Sequence, residues 1–195
     1  SVRQLVKDCS FPGMKVLEFA FDSRDSGCAS DYLPHNYPEN CVAYTGTHDN
    51  ETITGWFNSI TPAEQTLARD YLCDSHTPEN RLYLSFISLI MRSQARLCII
   101  PLQDYMGLDN DCRVNTPSTV GGTNWRWRMS PEDMDEELAG KMARLSLIYG
   151  RASKSEPGKG PAEEPAQKAG KSQTAKPGKK AGKAAKKGDK SHADA

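Results

Sequence analysis

The chain has 195 residues and a mass of 21.5 kDa, which is the size of about one domain. Residues 1–150 carry 13 basic and 20 acidic side chains, whereas residues 151–195 carry 12 basic and 5 acidic ones. No uncharged apolar stretch approaches the roughly 20 residues of a membrane helix, and the N-terminus lacks the apolar segment of a signal peptide. We therefore expect a cytoplasmic protein without a membrane partner.

The first predicted elements are a helix end and two short strands. Residues 2–9 predict the end of a helix, which a Pro-Gly pair breaks. The apolar run 16–21 predicts a buried strand, and residues 41–45 predict a second one. Between them, residues 22–40 are rich in Asp, Ser, Gly, Pro and Asn and predict a long loop.

Three helices and one further strand are predicted after residue 60. A Thr, a Pro and a Glu at the N-cap, N1 and N3 positions predict a helix over 61–73. A similar start at 77–80 opens an apolar helical segment to about residue 93. Residues 96–102 predict a third buried strand, 103–122 an irregular stretch, and a last helix extends from Ser130 to about residue 150.

Strands that alternate with helices favour the α/β class, with parallel strands joined by crossover helices. Both faces of a parallel sheet must be covered, and three strands are few for an independent parallel sheet. The body over residues 1–150 therefore has the pattern of one part of a larger α/β fold.

The six cysteines do not form a metal-binding pattern. They are widely spaced, with no Cys-x-x-Cys pair and no His at ligand spacing, whereas a zinc site needs ligands clustered in pairs. We expect no metal, and we expect reduced thiols, several of them buried. The cysteines are Cys9, Cys28, Cys41, Cys73, Cys98 and Cys112.

Residues 151–195 predict a disordered tail. From Ala152 onward its only hydrophobic residue type is Ala, so it cannot bury enough apolar surface to offset its ordering entropy. Its repeated Lys residues would suit a nucleic acid or an anionic surface, but it contains no aromatic residue to stack on a base. We favour a solvated tail over a nucleic-acid tether.

Polar residues follow each of the three predicted strands. They are Asp22 after the first, the run 47–50 (Thr-His-Asp-Asn) after the second, and Asp104 after the third. Functional residues of α/β folds gather at the carboxyl ends of parallel strands. The carboxylate of Asp49 beside the imidazole of His48 could bind adjacent sugar hydroxyls, hold a metal or act as a hydrolytic base. The alternative is a structural turn capped by Asp49.

Two tryptophans add a second indication of sugar binding. Trp125 and Trp127 alternate with Arg126 and Arg128. Flat rings beside hydrogen-bonding groups suit glucose units, whose faces are apolar and whose rims carry hydroxyls. The alternative is that either Trp packs in the core.

Four segments of the body, in order and at matching spacing, resemble the 4-α-glucanotransferase family, whose members are also called amylomaltases or disproportionating enzymes. The resemblance covers roughly residues 1–150. A departure is Val114, where Met is common, which is a volume-tolerant exchange. The segments are 11–21 (Phe-Pro-Gly-Met-Lys-Val-Leu-Glu-Phe-Ala-Phe), 44–52 (Tyr-Thr-Gly-Thr-His-Asp-Asn-Glu-Thr), 100–108 (Ile-Pro-Leu-Gln-Asp-Tyr-Met-Gly-Leu) and 113–128 (Arg-Val-Asn-Thr-Pro-Ser-Thr-Val-Gly-Gly-Thr-Asn-Trp-Arg-Trp-Arg).

The resemblance implies a (β/α)₈ barrel that transfers α-1,4-glucan segments between maltodextrins by a retaining double displacement, without a cofactor. The family motif places the transition-state-stabilising carboxylate at Asp49 and a sugar contact at His48. Further sugar contacts are expected at Asn50, Trp56, Asn124 and Trp125.

The resemblance also implies that two catalytic carboxyls lie outside this chain. In the family, the nucleophile and the acid/base precede the segment that matches 11–21, so the three strands correspond to barrel strands six to eight. Neither Asp22 nor Asp104 is assigned to these roles. We expect the chain alone to be inactive, to have two exposed sheet edges that favour low stability or association, and to need the N-terminal part of the barrel. The alternative is a non-catalytic sugar-binding or assembly module that docks on a separate N-terminal half.

Overall fold

The computed structural model describes residues 2–22 and 31–152. Its helices and strands follow one another in the order α1 (Val2–Asp8), β1 (Gly13–Val16), β2 (Cys41–Tyr44), α2 (Ile53–Ser59), α3 (Pro62–Leu72), α4 (Glu79–Met91), β3 (Leu97–Ile99), α5 (Leu102–Met106) and α6 (Glu136–Ile148). Short 3₁₀ helices lie at Leu17–Phe21, Pro34–Asn36, Asn110–Cys112 and Pro131–Asp133. In the described part of the chain, no helix is both long enough and apolar enough to cross a membrane.

The three strands form one parallel sheet in the order β1-β2-β3, which confirms the predicted α/β class. The register aligns Met14 with Val42 and Val42 with Leu97, so residues at the same level share a face. Within this sheet β1 and β3 are the edges. All three strands therefore direct their carboxyl ends toward the same side.

Within the described residues one face of the sheet is covered, whereas the other is largely open. Cys41 and Ala43 are fully buried in the main core, against helices α2 to α4. On the opposite face, Met14, Leu97 and Ile99 are between 42% and 61% exposed. The prediction of a buried strand is therefore wrong for β3 and only partly correct for β1, where Val16 is buried but Met14 on the same face is open to solvent.

The first predicted strand, 16–21, is only partly correct. The strand is Gly13–Val16, and the following residues form the 3₁₀ helix Leu17–Phe21. Leu17, Ala20 and Phe21 are buried while Phe19 is exposed. This spacing fits a helical turn rather than the alternation of a strand, and the mostly apolar composition of the run concealed the difference.

The third predicted strand, 96–102, is shorter than expected. It ends at Ile99, because Pro101 has no N–H for the ladder and instead stands at the N-cap of α5. Two short helices were not predicted: α2 lies where no element was assigned, and α5 lies mostly in the stretch 103–122 that was predicted as irregular. The last helix starts at Glu136 rather than near Ser130, since a separate 3₁₀ turn ends at Met134 and Asp135 provides the N-cap.

An aromatic cluster forms the centre of the main core. Phe86 of α4 packs its ring against Trp56 at 5.5 Å, Phe57 at 5.8 Å and Phe21 at 6.3 Å between centroids. A second cluster joins α4, α5 and α6 through Ile87, Met91, Tyr105 and Leu138. The aromatic cluster includes Trp56 and Phe57 and so holds α2 against α4.

The cysteines are less buried than expected. The five described ones are free thiols, but only Cys41 is buried. Cys98 and Cys112 are half-buried, and Cys9 and Cys73 are exposed. Cys28 lies outside the described residues.

Arg151 binds the end of α4 through its guanidinium. It donates to the carbonyls of Met91 at 2.7 Å, Ser93 at 2.9 Å and Ala95 at 2.9 Å. The side chain is half-buried, although sequence composition grouped it with the tail. The remainder of the predicted disordered tail, residues 153–195, lies outside the described residues.

The capping box of α3 provides a first testable prediction. The backbone N–H of Thr61 donates to Oε2 of Glu64 at 2.9 Å, and the Thr61 hydroxyl accepts from the backbone of Glu64. Replacing Thr61 with Ala should reduce the free energy of unfolding by about 1 kcal/mol. Urea denaturation measures the effect, and the matched Thr61→Ser variant, which keeps the hydroxyl, should stay near wild type. Equal losses in both variants would contradict the capping role.

Candidate active site at the carboxyl end of the sheet

Buried hydrogen bonds join the ends of β2 and β3. Asp104, in α5 after β3, accepts from the hydroxyl of Thr45, which directly follows β2. Its other oxygen accepts from the backbone N–H of Ile53 at 2.9 Å, at the first residue of α2. Asp104 is fully buried, and its two hydrogen bonds hold the loop that follows β2 in place.

The Thr47–Asn50 turn is held by its two outer residues. The amide oxygen of Asn50 accepts from the Thr47 N–H at 3.0 Å and from the Thr47 hydroxyl at 2.7 Å. The backbone N–H of Asp49 is 3.3 Å from the Thr47 hydroxyl oxygen. The structural role that the sequence left open for Asp49 therefore belongs to Thr47 and Asn50, and the Asp49 carboxylate is available for other contacts.

Asp49 presents its carboxylate beside an amide donor and an imidazole ring. The side-chain amide of Asn115 donates to Oδ1 at 2.7 Å, and Nε2 of His48 lies 3.4 Å from Oδ2. Arg113 fixes the backbone by donating to the Asp49 carbonyl at 2.7 Å. The side chain of Asp49 is 49% exposed, so its carboxylate is oriented but still reachable from solvent.

His48 and Trp125 form an exposed aromatic pair. Their ring centroids are 5.3 Å apart, and the planes are inclined by 37°. Trp125 has a left-handed backbone with φ of +63°, which is strained for a bulky residue. Its backbone N–H donates to the Val114 carbonyl at 2.7 Å. Trp125 is 57% exposed, whereas Trp127 is half-buried. The arrangement suits a platform for a sugar face.

The remaining predicted site residues are placed differently. Trp56 is only 6% exposed, and it borders a cleft of about 530 Å³ that Asp49, Asn50 and Asp22 also line. The amide of Asn124 faces its own loop, since it accepts from the Thr116 N–H at 3.0 Å and donates to the Thr119 hydroxyl at 2.8 Å. The structure therefore brings Asp49, Asn50 and Trp56 to one cleft.

Two buried carboxyls lie beneath the site. The pKa of Glu18 is raised to about 9, chiefly by burial and next by the nearby Asp104, while the amide of Asn50 opposes the shift. Burial also raises the pKa of Asp104 to about 6, against the lowering effects of Thr45 and Ile53. Glu18 therefore holds its proton at pH 7.

Sequence reasoning did not single out Glu18, Arg113 and Asn115 as site residues. Glu18 has a detectable signal, because it is a lone carboxyl inside the apolar run 16–21 directly after a strand. Arg113 and Asn115 have no local signal, because their contacts with Asp49 link residues more than 60 positions apart. In the described part of the chain, no three His, Cys, Asp or Glu side chains gather so that they could hold a metal ion.

The geometry defines a class: an α/β protein with a carboxylate site at the carboxyl end of a parallel sheet. The family model for 4-alpha-glucanotransferases matches residues 1–135. The chain belongs to the 4-α-glucanotransferase family.

Curated relatives and a solved structure agree with this family. The chain is 44% identical to a Synechocystis 4-alpha-glucanotransferase over 151 residues, which cover 77% of this chain and 29% of that enzyme. It is 42% identical to the Clostridium butyricum 4-alpha-glucanotransferase, and the match covers 74% of this chain and 29% of that enzyme. The solved structure of the amylomaltase from Streptococcus agalactiae in complex with acarbose is similar to this chain, with a TM-score of 0.70 and 35% sequence identity. This match covers 78% of this chain and 30% of the amylomaltase chain. The chain thus spans under one third of the length of these proteins.

Proposed function

We propose that this chain forms part of an enzyme that transfers α-1,4-glucan segments between maltodextrins, by a retaining double displacement and without a cofactor. Family membership supports the reaction class. The observation that carries the proposal is the solvent-reachable carboxylate of Asp49, oriented by Asn115 and His48 at the carboxyl end of the sheet.

In this mechanism Asp49 stabilises the transition state. One carboxylate attacks the anomeric carbon to form a covalent glucosyl-enzyme, and a second carboxyl protonates the leaving oxygen and then deprotonates the acceptor hydroxyl. Both of these groups belong to the part of the enzyme that this chain does not span. The negative charge of Asp49 would stabilise the oxocarbenium-like ring, and Asp49 and His48 would bind hydroxyls of the same glucose unit.

Further sugar contacts are proposed around this carboxylate. Trp125 would stack on a sugar face beside His48, consistent with its exposure and its ring contact. Trp56 borders the cleft and would reach a second unit through its remaining exposed atoms. Asn50 also borders the cleft, but both ends of its amide are bonded, so it would act mainly by holding the turn. Asn124 would act mainly by shaping the loop that carries Trp125, since both ends of its amide are already bonded.

We propose that β1, β2 and β3 are strands six to eight of a (β/α)₈ barrel. The uncovered sheet face with Met14, Leu97 and Ile99 has the composition of a barrel interior. Residues 1–150 would then be the C-terminal part of the barrel, with residues 151–195 as an appended tail. The cytoplasm is the proposed location, although the potato relative is named as chloroplastic/amyloplastic.

A second candidate is a non-catalytic module that binds glucan and docks on a separately made N-terminal half. The observation in its favour is that Arg113, Asn115 and His48 of this chain already orient Asp49, so the carboxylate is positioned before any further residues are added. Saturable maltodextrin binding without turnover, even after the missing part is supplied, would favour this candidate over the enzyme.

A complementation experiment tests the proposed function. The 195-residue chain is incubated with maltotriose alone, and then together with the part of the Synechocystis enzyme that it does not match. We expect glucose and longer maltodextrins only in the combined sample, because retaining chemistry needs two carboxyls about 5–5.5 Å apart across the bond. Products from the chain alone, or none when a covalent fusion of the two parts is used, would contradict the proposal.

A further inference from the structure

Glu18 lies beneath the turn that carries Asp49. It belongs to the 3₁₀ helix after β1, and its backbone N–H donates to the Thr45 carbonyl at the end of β2. Its side chain is 6% exposed and passes close to Gly46, where an added Cβ would collide with Oε1. Only glycine at position 46 lets the carboxyl approach the loop backbone this closely.

A short series of hydrogen bonds links this carboxyl to the catalytic turn. The side-chain amide of Asn50 donates to Oε2 of Glu18 at 3.1 Å. The oxygen of the same amide accepts from the N–H and the hydroxyl of Thr47. The Thr47 hydroxyl in turn lies 3.3 Å from the backbone nitrogen of Asp49. Glu18 thus forms the base of the series that sets the position of Asp49.

We propose that Glu18, in its neutral form, is a positioning residue that holds the Thr47–Asn50 turn and thereby aims the carboxylate of Asp49. The catalytic meaning of this inference rests on the proposed function, whereas the structural coupling does not. Glu18 touches neither sugar nor reacting atoms in this assignment, and it acts through Asn50.

The surroundings favour the neutral form. Oε1 is buried without a hydrogen-bond partner, and one amide donor on Oε2 is too little to compensate a full negative charge. Asp104 of α5 and Glu51 disfavour ionisation, and Arg113 favours it more weakly. The adjoining cleft is also lined by the carboxyls of Asp22, Asp49 and Glu64. Ionisation of Glu18 would add a charge to an already acidic environment and would loosen the turn.

Two substitutions separate the charge of Glu18 from its hydrogen bond. Glu18→Gln keeps an acceptor for Asn50 and cannot ionise. Glu18→Leu removes the acceptor. In the full 195-residue chain, hydrogen exchange of the Asp49 and Asn50 backbone amides is followed by NMR from neutral to alkaline pH. Because one lost hydrogen bond typically corresponds to about tenfold in an opening equilibrium, Glu18→Leu should exchange about tenfold faster at neutral pH.

The pH profile is the deciding measurement. Wild type should show exchange of these two amides rising beyond the intrinsic increase near pH 9, and Glu18→Gln should lack this additional step. The exposed control Glu39→Gln should retain it. A step that persists in Glu18→Gln would assign it to another group and overturn the proposal. If the step disappears but the complete enzyme transfers no glucan, the proposed function fails while the positioning role stands.

Discussion

Replacing Asp49 with Asn should lower the glucan-transfer rate of the complete enzyme by about 10²- to 10³-fold, the usual effect of removing one preorganised electrostatic group. The variant removes the negative charge but keeps an oxygen that can accept from the Asn115 amide, so the turn should keep its shape. Because the lost interaction belongs to the transition state, kcat should fall more than KM rises.

The assay is maltotriose disproportionation by this chain fused to the unmatched part of the Synechocystis enzyme. The matched control is Asp70→Asn, which removes an exposed carboxylate from α3, away from the cleft-lining residues. We expect wild-type rates from the control. An unchanged rate for Asp49→Asn would show that the negative charge of Asp49 is dispensable, and the proposed catalytic role would be lost.

The free energy of unfolding should fall as the pH rises, because the folded chain holds protons that the unfolded chain releases. The pKa of Glu18 is raised from 4.5 to about 9, so the folded state binds more protons throughout that interval. The contribution is fully present below the ordinary carboxyl pKa and is lost as the pH approaches 9. The free energy of unfolding should change by at most about 1.4 kcal/mol per pH unit, so a change of several pH units lowers it by several kcal/mol.

Urea denaturation of the 195-residue chain between about pH 6.5 and 8.5 follows this effect above the pKa of Asp104, which is raised only to about 6. Burial also raises the pKa of the Cys41 and Cys98 thiols, so the comparison with Glu18→Gln identifies the part that belongs to Glu18. Glu18→Gln should flatten the profile and be more stable than wild type at the alkaline end. The exposed Glu39→Gln variant should keep the wild-type slope. Parallel profiles for wild type and Glu18→Gln would mean that Glu18 ionises without cost in the fold.

Local chemistry made part of the fold predictable. The helix start at Thr61 and Glu64 was correct because both capping partners lie within one turn. In contrast, α2 was missed because its sequence contains a glycine and β-branched residues, which are poor helix formers. It forms because Ile53, Trp56 and Phe57 bury one face in the aromatic cluster. Their i, i+3, i+4 spacing was the available signal.

The candidate site was predictable in position but not in detail. The rule on strand ends led to Asp49 and Asp104, and the structure places both at the carboxyl end of the sheet. It could not assign Asn50 to the turn or Asn115 to the carboxylate, since these partnerships depend on how distant loops meet. Glu18 was taken as one residue of an apolar strand, because composition does not reveal that the chain turns after Val16.

The contacts of Arg151 determine where this segment can be exchanged between related enzymes. The family match ends at residue 135, before α6, and the amino-acid composition suggests a domain boundary after residue 150. An exchange at either boundary would separate the Arg151 guanidinium from the carbonyls of Met91, Ser93 and Ala95. The C-terminal end of α4 would then lose the positive charge that binds its carbonyls. An exchange between related enzymes that preserves these contacts must therefore keep Arg151 together with residues 1–150.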